Sequence, residues 1–145
     1  NDKDHQDLKV RYYKLLIRFY AHEKNYLEMC KCYHQIFDTQ KVQEDVNLWS
    51  DALANMVIFI TLSPFDNHQH DLINRIWLEK KLEEKPLQIF RELLKQFVGT
   101  ELVLWPEFES KFAKSLMSHK VFVDDKSRFE DLHDRVVEHV RTFFF

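Results

Sequence analysis

Cys30, Cys32 and His34 are the first residues in this sequence whose types and spacing could do chemistry. Thiolates and imidazoles are zinc donors, and a tetrahedral zinc site needs four ligands, or three and a water. On a helix, positions two apart point about 200° away from each other, so only Cys30 and His34 would share a face. Half a ligand shell remains, and the thiols read instead as buried core atoms. His68, His70 and Asp71 form a second set, which would need donors converging from elsewhere and otherwise reads as the solvated start of a helix. A small metal-dependent enzyme using Cys30, His68 and His70 is what these residues alone would allow, and it predicts stoichiometric metal in the purified protein.

Other chemistries find less support. Cys30 falls in an apolar stripe with no cation placed to lower its pKa, and the sequence holds no G-x-S-x-G elbow. Asp124, Asp125, Glu130 and Asp131 alternate with lysines and arginines, as solvated faces do. Lys80 and Lys81 are flanked by Glu79, Glu83 and Glu84, which cancel their field. A nucleic-acid-binding helical repeat would present exposed rings interleaved with cations and bind with steep salt dependence. Here Tyr12, Phe19, Phe90, Phe97, Phe129 and Phe143 keep helical spacing and read as core. No catalytic, cofactor-binding or metal-binding residue is assigned. Trp105 beside Pro106 and the terminal run Phe143, Phe144, Phe145 are less well accounted for, which makes them candidates for contacts with other polypeptide.

The elements behind these residues follow from composition. The chain has 145 residues, 45% of them hydrophobic, with 13 Phe, 3 Trp and 5 Tyr, far from the composition of disordered segments. One Gly and three Pro exclude glycine-rich phosphate loops and argue against a β fold rich in tight turns. Net charge is −3, from 21 basic and 24 acidic residues, so no overall field attracts nucleic acid or an anionic membrane. The run Met56 to Leu62 is far shorter than the roughly 20 residues a membrane span requires. The sequence therefore predicts a soluble protein without a signal segment, in a reducing compartment. A start without Met and a finish on three Phe read as cuts from a longer protein.

Apolar periodicity predicts a first helix carrying Leu8, Tyr12, Leu15, Leu16 and Phe19, and a second carrying Tyr26, Met29, Cys30, Tyr33, Ile36 and Phe37. The short link between them favours an antiparallel hairpin, with Asn25 and Glu28 as a capping box. A third helix spans Glu44 to Leu62, although Met56 to Leu62 is rich enough in β-branched residues to resemble a buried strand. A fourth carries Leu72, Ile73, Ile76 and Trp77 after a turn at Ser63 to Asn67. Pro86 opens a fifth ending at Gly99, and Pro106 a sixth with Phe108, Phe112 and Leu116. Met117 to Asp125 reads as a loop, with Val121 to Val123 as a possible short strand. Ser127 and Glu130 form a second capping box before a last helix carrying Phe129, Leu132, Val136, Val140 and Phe143. Hairpins starting near Leu8, Glu44 and Pro86 recur about every 40 residues, the footprint of an α-solenoid of antiparallel, tetratricopeptide-like hairpins.

Several blocks carry a resemblance: DLKVRYYKLLIRFYAHEKNYLEMCKCY from Asp7, QEDVNLW from Gln43, LSPFDNHQHDLINRI from Leu62, KKLEEKP from Lys80, ELVLWP from Glu101 and DLHDRVVEHVR from Asp131. Together they resemble the PCI-domain subunits of the 26S proteasome lid, while Glu107 to Arg128 matches poorly. The resemblance implies an all-α stack of helical hairpins leading into a PCI domain, with residues 1–145 a single helical-repeat segment and the winged helix absent. It also implies a non-catalytic scaffold without cofactor, in cytoplasm and nucleus. The implied partners are other lid subunits, and the base and core particle in the assembled complex, with no nucleic acid and no membrane. A subunit of the related COP9 signalosome is the nearest alternative.

Overall fold

The computed structural model describes residues 2–144, and among them the secondary structure is helical with no strand. The helices are α1 (Asp2–His22), α2 (Tyr26–Phe37), α3 (Gln40–Gln43), α4 (Val46–Leu62), α5 (Asn67–Trp77), α6 (Gln88–Val98), α7 (Trp105–Met117), α8 (Lys120–Asp124) and α9 (Ser127–Phe144). Two 3₁₀ turns, Lys80–Glu83 and Lys85–Leu87, join α5 to α6.

The α1–α2 link is closed by backbone geometry that the sequence disguises. The amides of Asn25 and Lys24 donate to the carbonyls of Tyr20 and Ala21, the paired bonds that satisfy the last carbonyls of a helix when the residue after the cap is left-handed. That residue is Lys24, at φ 53°, where glycine is usual. Asn25 then caps α2, its Oδ1 accepting from the Glu28 amide at 3.4 Å, while the Glu28 carboxylate turns to Lys31 instead of closing a box. Lys41, in α3 just beyond the far end of α2, donates its amide to Gln6 Oε1 near the start of α1, so α1 and α2 run antiparallel.

α4 is the centre of the fold, packed against α2, α3, α5, α6 and α9. Asp45 caps it by accepting from the amides of Asn47 and Leu48, placing its start two residues after the expected Glu44. From Ala52 to Leu62 every residue is buried. The Met56–Leu62 run is thus helix, because neighbours cover it on all sides and no strand is present among the described residues to pair with it. Phe59 at its middle stacks on Tyr26 and Tyr33 at 5.9 and 5.6 Å and receives the Arg128 guanidinium at 5.2 Å. Asp66 caps α5 through the Gln69 amide.

Three further expectations change. Pro86 lies in the second 3₁₀ turn and α6 begins at Gln88. Residues 120–124 form α8, with His119 Nδ1 accepting from the Val121 amide as a cap. Val121 and Phe122 are adjacent and both buried, a pattern that a half-buried strand cannot supply, since its side chains alternate. Finally, the start of α9 is fixed by Asp125, whose Oδ1 accepts from both the amide and the hydroxyl of Ser127; Ser127 and Glu130 form no capping box. The hydroxyl also accepts from Lys24 Nζ, and Asp131 binds Lys24 and the Tyr26 hydroxyl, tying the first hairpin to α9.

Candidate interaction surface

The residues singled out for chemistry are dispersed or sealed. Cys30 and Cys32 are both buried, Cys30 donating to the Met56 carbonyl at 3.3 Å. Burial pushes both thiols up, Cys32 to about 11, so neither is a ready thiolate. His68, His70 and Asp71 are exposed on the first turns of α5, and no three His, Cys, Asp or Glu residues converge on a metal position among the described residues. Lys81 lies 4.8 Å over the Trp49 ring and donates to the Gln43 carbonyl, so its charge is engaged within the fold.

The largest correction concerns α1. Leu8, Tyr12, Leu15 and Phe19 are 62, 57, 64 and 57% exposed. The core-facing residues of this helix are Ile17, buried, with Val10, Tyr13, Leu16 and Tyr20 partly buried against it. Val10, Tyr13, Ile17 and Tyr20 repeat at three and four residues just as the exposed set does, so α1 carries two stripes and only one meets the fold.

A concave surface forms where the segment before α7 runs beside α9. Leu104 is extended (φ −99°, ψ 138°), and α7 starts at Trp105 with Pro106 in its first turn. His139, buried on α9, lies close to the backbone of Glu101, where this segment meets the helix. Burial keeps the His139 imidazole below its ordinary pKa, outweighing the opposing pull of the Glu101 backbone, and its Nε2 is unpartnered within the protein. The resulting open groove, about 690 Å³, is lined by Val103, Leu104, Trp105, Val136, Val137 and Val140, with Arg141 beside them.

Trp105 is half-buried and rigidly framed: stacked on Phe108 at 5.6 Å, edge-on to Phe129 at 5.5 Å and to His133 at 4.7 Å. Phe143 meets Phe65 at 6.2 Å and His139 at 4.8 Å, yet it and Phe144 remain 39 and 40% exposed. Phe145 lies outside the described residues. Leu102 and Leu104 add exposed apolar area next to the groove. Sequence reasoning missed His139, although it follows Val136 by three residues and Leu132 by seven and so belongs to the same face of α9. The surface offers apolar area, one fixed aromatic wall and one guanidinium, the makings of a contact with another polypeptide.

Comparison with known proteins gives this surface its setting. Residues 1–45 match the family described as PSMD12/CSN4, N-terminal. The 26S proteasome regulatory subunit rpn501 of Schizosaccharomyces pombe is 39% identical over 141 residues, 94% of this chain and 31% of its own. The chain is homologous to part of a proteasome regulatory subunit. The 26S proteasome non-ATPase regulatory subunit 12 of Dictyostelium discoideum is 37% identical over 138 residues, covering 95% of this chain and 30% of that protein. The 26S proteasome regulatory subunit RPN5 of Saccharomyces cerevisiae is 33% identical over 138 residues, 93% of this chain and 31% of its own. The chain spans a little under a third of the length of these relatives. No helix among the described residues is long and apolar enough to cross a membrane.

Proposed function

We propose that this chain is a helical-repeat segment of a non-catalytic scaffold subunit of the 26S proteasome lid, acting through protein contacts in ubiquitin-dependent degradation. The observation that carries the reading is similarity along nearly the whole chain to proteins named as proteasome regulatory subunits; those names also favour the proteasome over the signalosome. α1 packs on α2, α2 on α4, and α4 on α5 and α6, while α9 also returns to α4; the neighbour-to-neighbour contacts support an α-solenoid leading into a PCI domain and residues 1–145 as one repeat segment. Its partners are then other lid subunits, with base and core particle in the assembled complex, in cytoplasm and nucleus.

Within this reading, Trp105, Phe143, Phe144 and Phe145 belong to an interface, with the groove beside α9 as its centre. The test is co-purification of the full-length protein from cell extract, followed by mass spectrometry. Lid, base and core subunits are the expected company, and signalosome subunits in their place would overturn the assignment. Leu102→Glu with Leu104→Glu, both on exposed positions, should reduce that recovery while leaving the thermal melt unchanged. Undiminished recovery would remove the groove from the interface.

A further inference from the structure

α1 and α4 both pack on α2, and the space between them is a second groove, separate from the one beside α9. It consists of two adjoining hollows of about 500 and 380 Å³ that share Lys14, Tyr33 and Asp51. Tyr33 and Ile36 of α2, with Phe59 of α4, give it an apolar floor. Its charges are uneven. At one end Lys41 pairs with Asp7 at 2.5 Å, and at the other Lys120 pairs with Asp124 at 3.0 Å, while Arg128 lies over Phe59 beside Asp125. Between these ends α1 contributes Arg11, Lys14 and Arg18, all exposed and none in an ion pair among the described residues. The remaining carboxylate of the lining is Asp51 on α4, exposed and in no such pair either. Asp7 is committed to Lys41, and Asp4 is seven residues from Arg11, about 10 Å along the helix and outside the lining. Three cations thus face one acid, in a chain whose net charge is −3.

We propose that this groove takes an extended segment of a different polypeptide of the assembly, with Asp or Glu on the side facing α1 and an apolar side chain toward Tyr33 and Ile36. This rests on the reading of the chain as an assembly scaffold and names the chemistry of one partner segment. The hollows run from Leu48 to Phe59 along α4, about 16 Å at the helical rise, which about five residues of extended chain would span. Arg11 and Arg18 are about 10 Å apart along α1, within reach of acids at alternate extended positions. The charged lining favours a separate polypeptide over more of this one, because faces covered permanently are more apolar than those that meet a partner reversibly. A nucleic acid fits less well, since its unbroken run of phosphates would meet Asp51 and Asp124 as well as the cations. A polypeptide can turn its acids toward α1 and a backbone amide toward Asp51.

The test places a photoreactive benzophenone amino acid at position 48, an exposed leucine at the rim of the groove, in the full-length protein in cells. Assembled particles are purified and the adduct is mapped by mass spectrometry. The expected adduct lies on another subunit, in a segment with acidic residues at alternate positions. Lys14→Glu with Arg18→Glu should lower its yield about fivefold, the scale of two exposed ion pairs lost, and leave the thermal melt unchanged, since both side chains are exposed. An adduct elsewhere in the same protein, on a second copy, on nucleic acid or on a segment without acids overturns the proposal. So does the absence of any adduct, or a yield indifferent to the charge reversal. Failure of the tagged protein to co-purify with proteasome subunits would instead overturn the assembly reading, and it is scored separately from the adduct.

Discussion

α4 and α1 are both long helices dense in apolar residues, and the fold treats them in opposite ways. α4 is buried on every side from Ala52 onward, whereas α1, longer by four residues (21 against 17), fully buries only Ile17. Periodicity shows that a helix has an apolar face; it does not show whether anything in the same sequence reaches that face. On the second half of α4 the question hardly arises, since the run from Met56 to Leu62 has almost no polar side to turn outward. On α1 two competing stripes exist, and the choice depends on where α2 lies.

The sharpest test of this contrast is truncation at its two extremes. Phe59→Ala removes a ring that stacks on two tyrosines and receives Arg128, and it should cost about 3 to 5 kcal/mol in denaturant unfolding. A loss under 1 kcal/mol would mean that α4 is not the organising core. Next in size is Tyr26→Phe, which deletes the hydroxyl bound to the Asp131 carboxylate and should cost about 1.5 to 3 kcal/mol, the range for bonds to charged groups. An unchanged melt would show that the tie between the first hairpin and α9 contributes nothing.

A smaller effect separates α9 from both helices. Burial lowers the folded pKa of His139, so the unfolded chain binds its proton at higher pH than the native protein does. Stability contributed by the neutral ring is therefore present above the ordinary value of 6.5 and is lost as pH falls below it toward the depressed folded pKa. The melting temperature should drop between pH 7 and 5. His139→Leu should make that slope shallower whatever it does to the midpoint, with His119, also lowered by burial, supplying the remainder. An unaltered slope would place the titration elsewhere. The smallest expected change is at the exposed stripe of α1, where Leu15→Ala should alter stability by less than about 0.5 kcal/mol. A large loss there would mean that α1 presents the other stripe to the core.

Much of the architecture was legible because its signals are local. Asp66 caps a helix wherever a turn precedes an apolar run, Pro106 tolerates only a first turn, and the apolar second half of α4 had nowhere to go but inside. What escaped depends on distance or on unusual residues. The left-handed closure of α1 was hidden because Lys24 occupies the position that glycine ordinarily marks. Asp125 took the capping role from the Ser127 and Glu130 pattern because its carboxylate reaches two donors at once. α8 is too short for periodicity to register. Of the candidate surface, Trp105 was visible as an aromatic residue less well accounted for by the helices, and Phe143 as the last apolar residue on the face of α9. The groove beside Trp105 was not, since it exists only where residues from Val103 to Trp105 meet α9 across more than thirty residues of chain.

The bond from Tyr26 to Asp131 spans 105 positions in the chain, and that separation has a kinetic consequence. The α1–α2 hairpin and the α4–α5 turn close short loops and can form in the first moments of folding, while joining Tyr26 to α9 requires a loop of more than a hundred residues to find its ends. Contacts of that kind mature late, so weakening them should accelerate unfolding far more than it retards folding. In a chevron plot of Tyr26→Phe, the unfolding arm should rise while the refolding arm stays in place. The bond would then act as a latch on the lifetime of the native state.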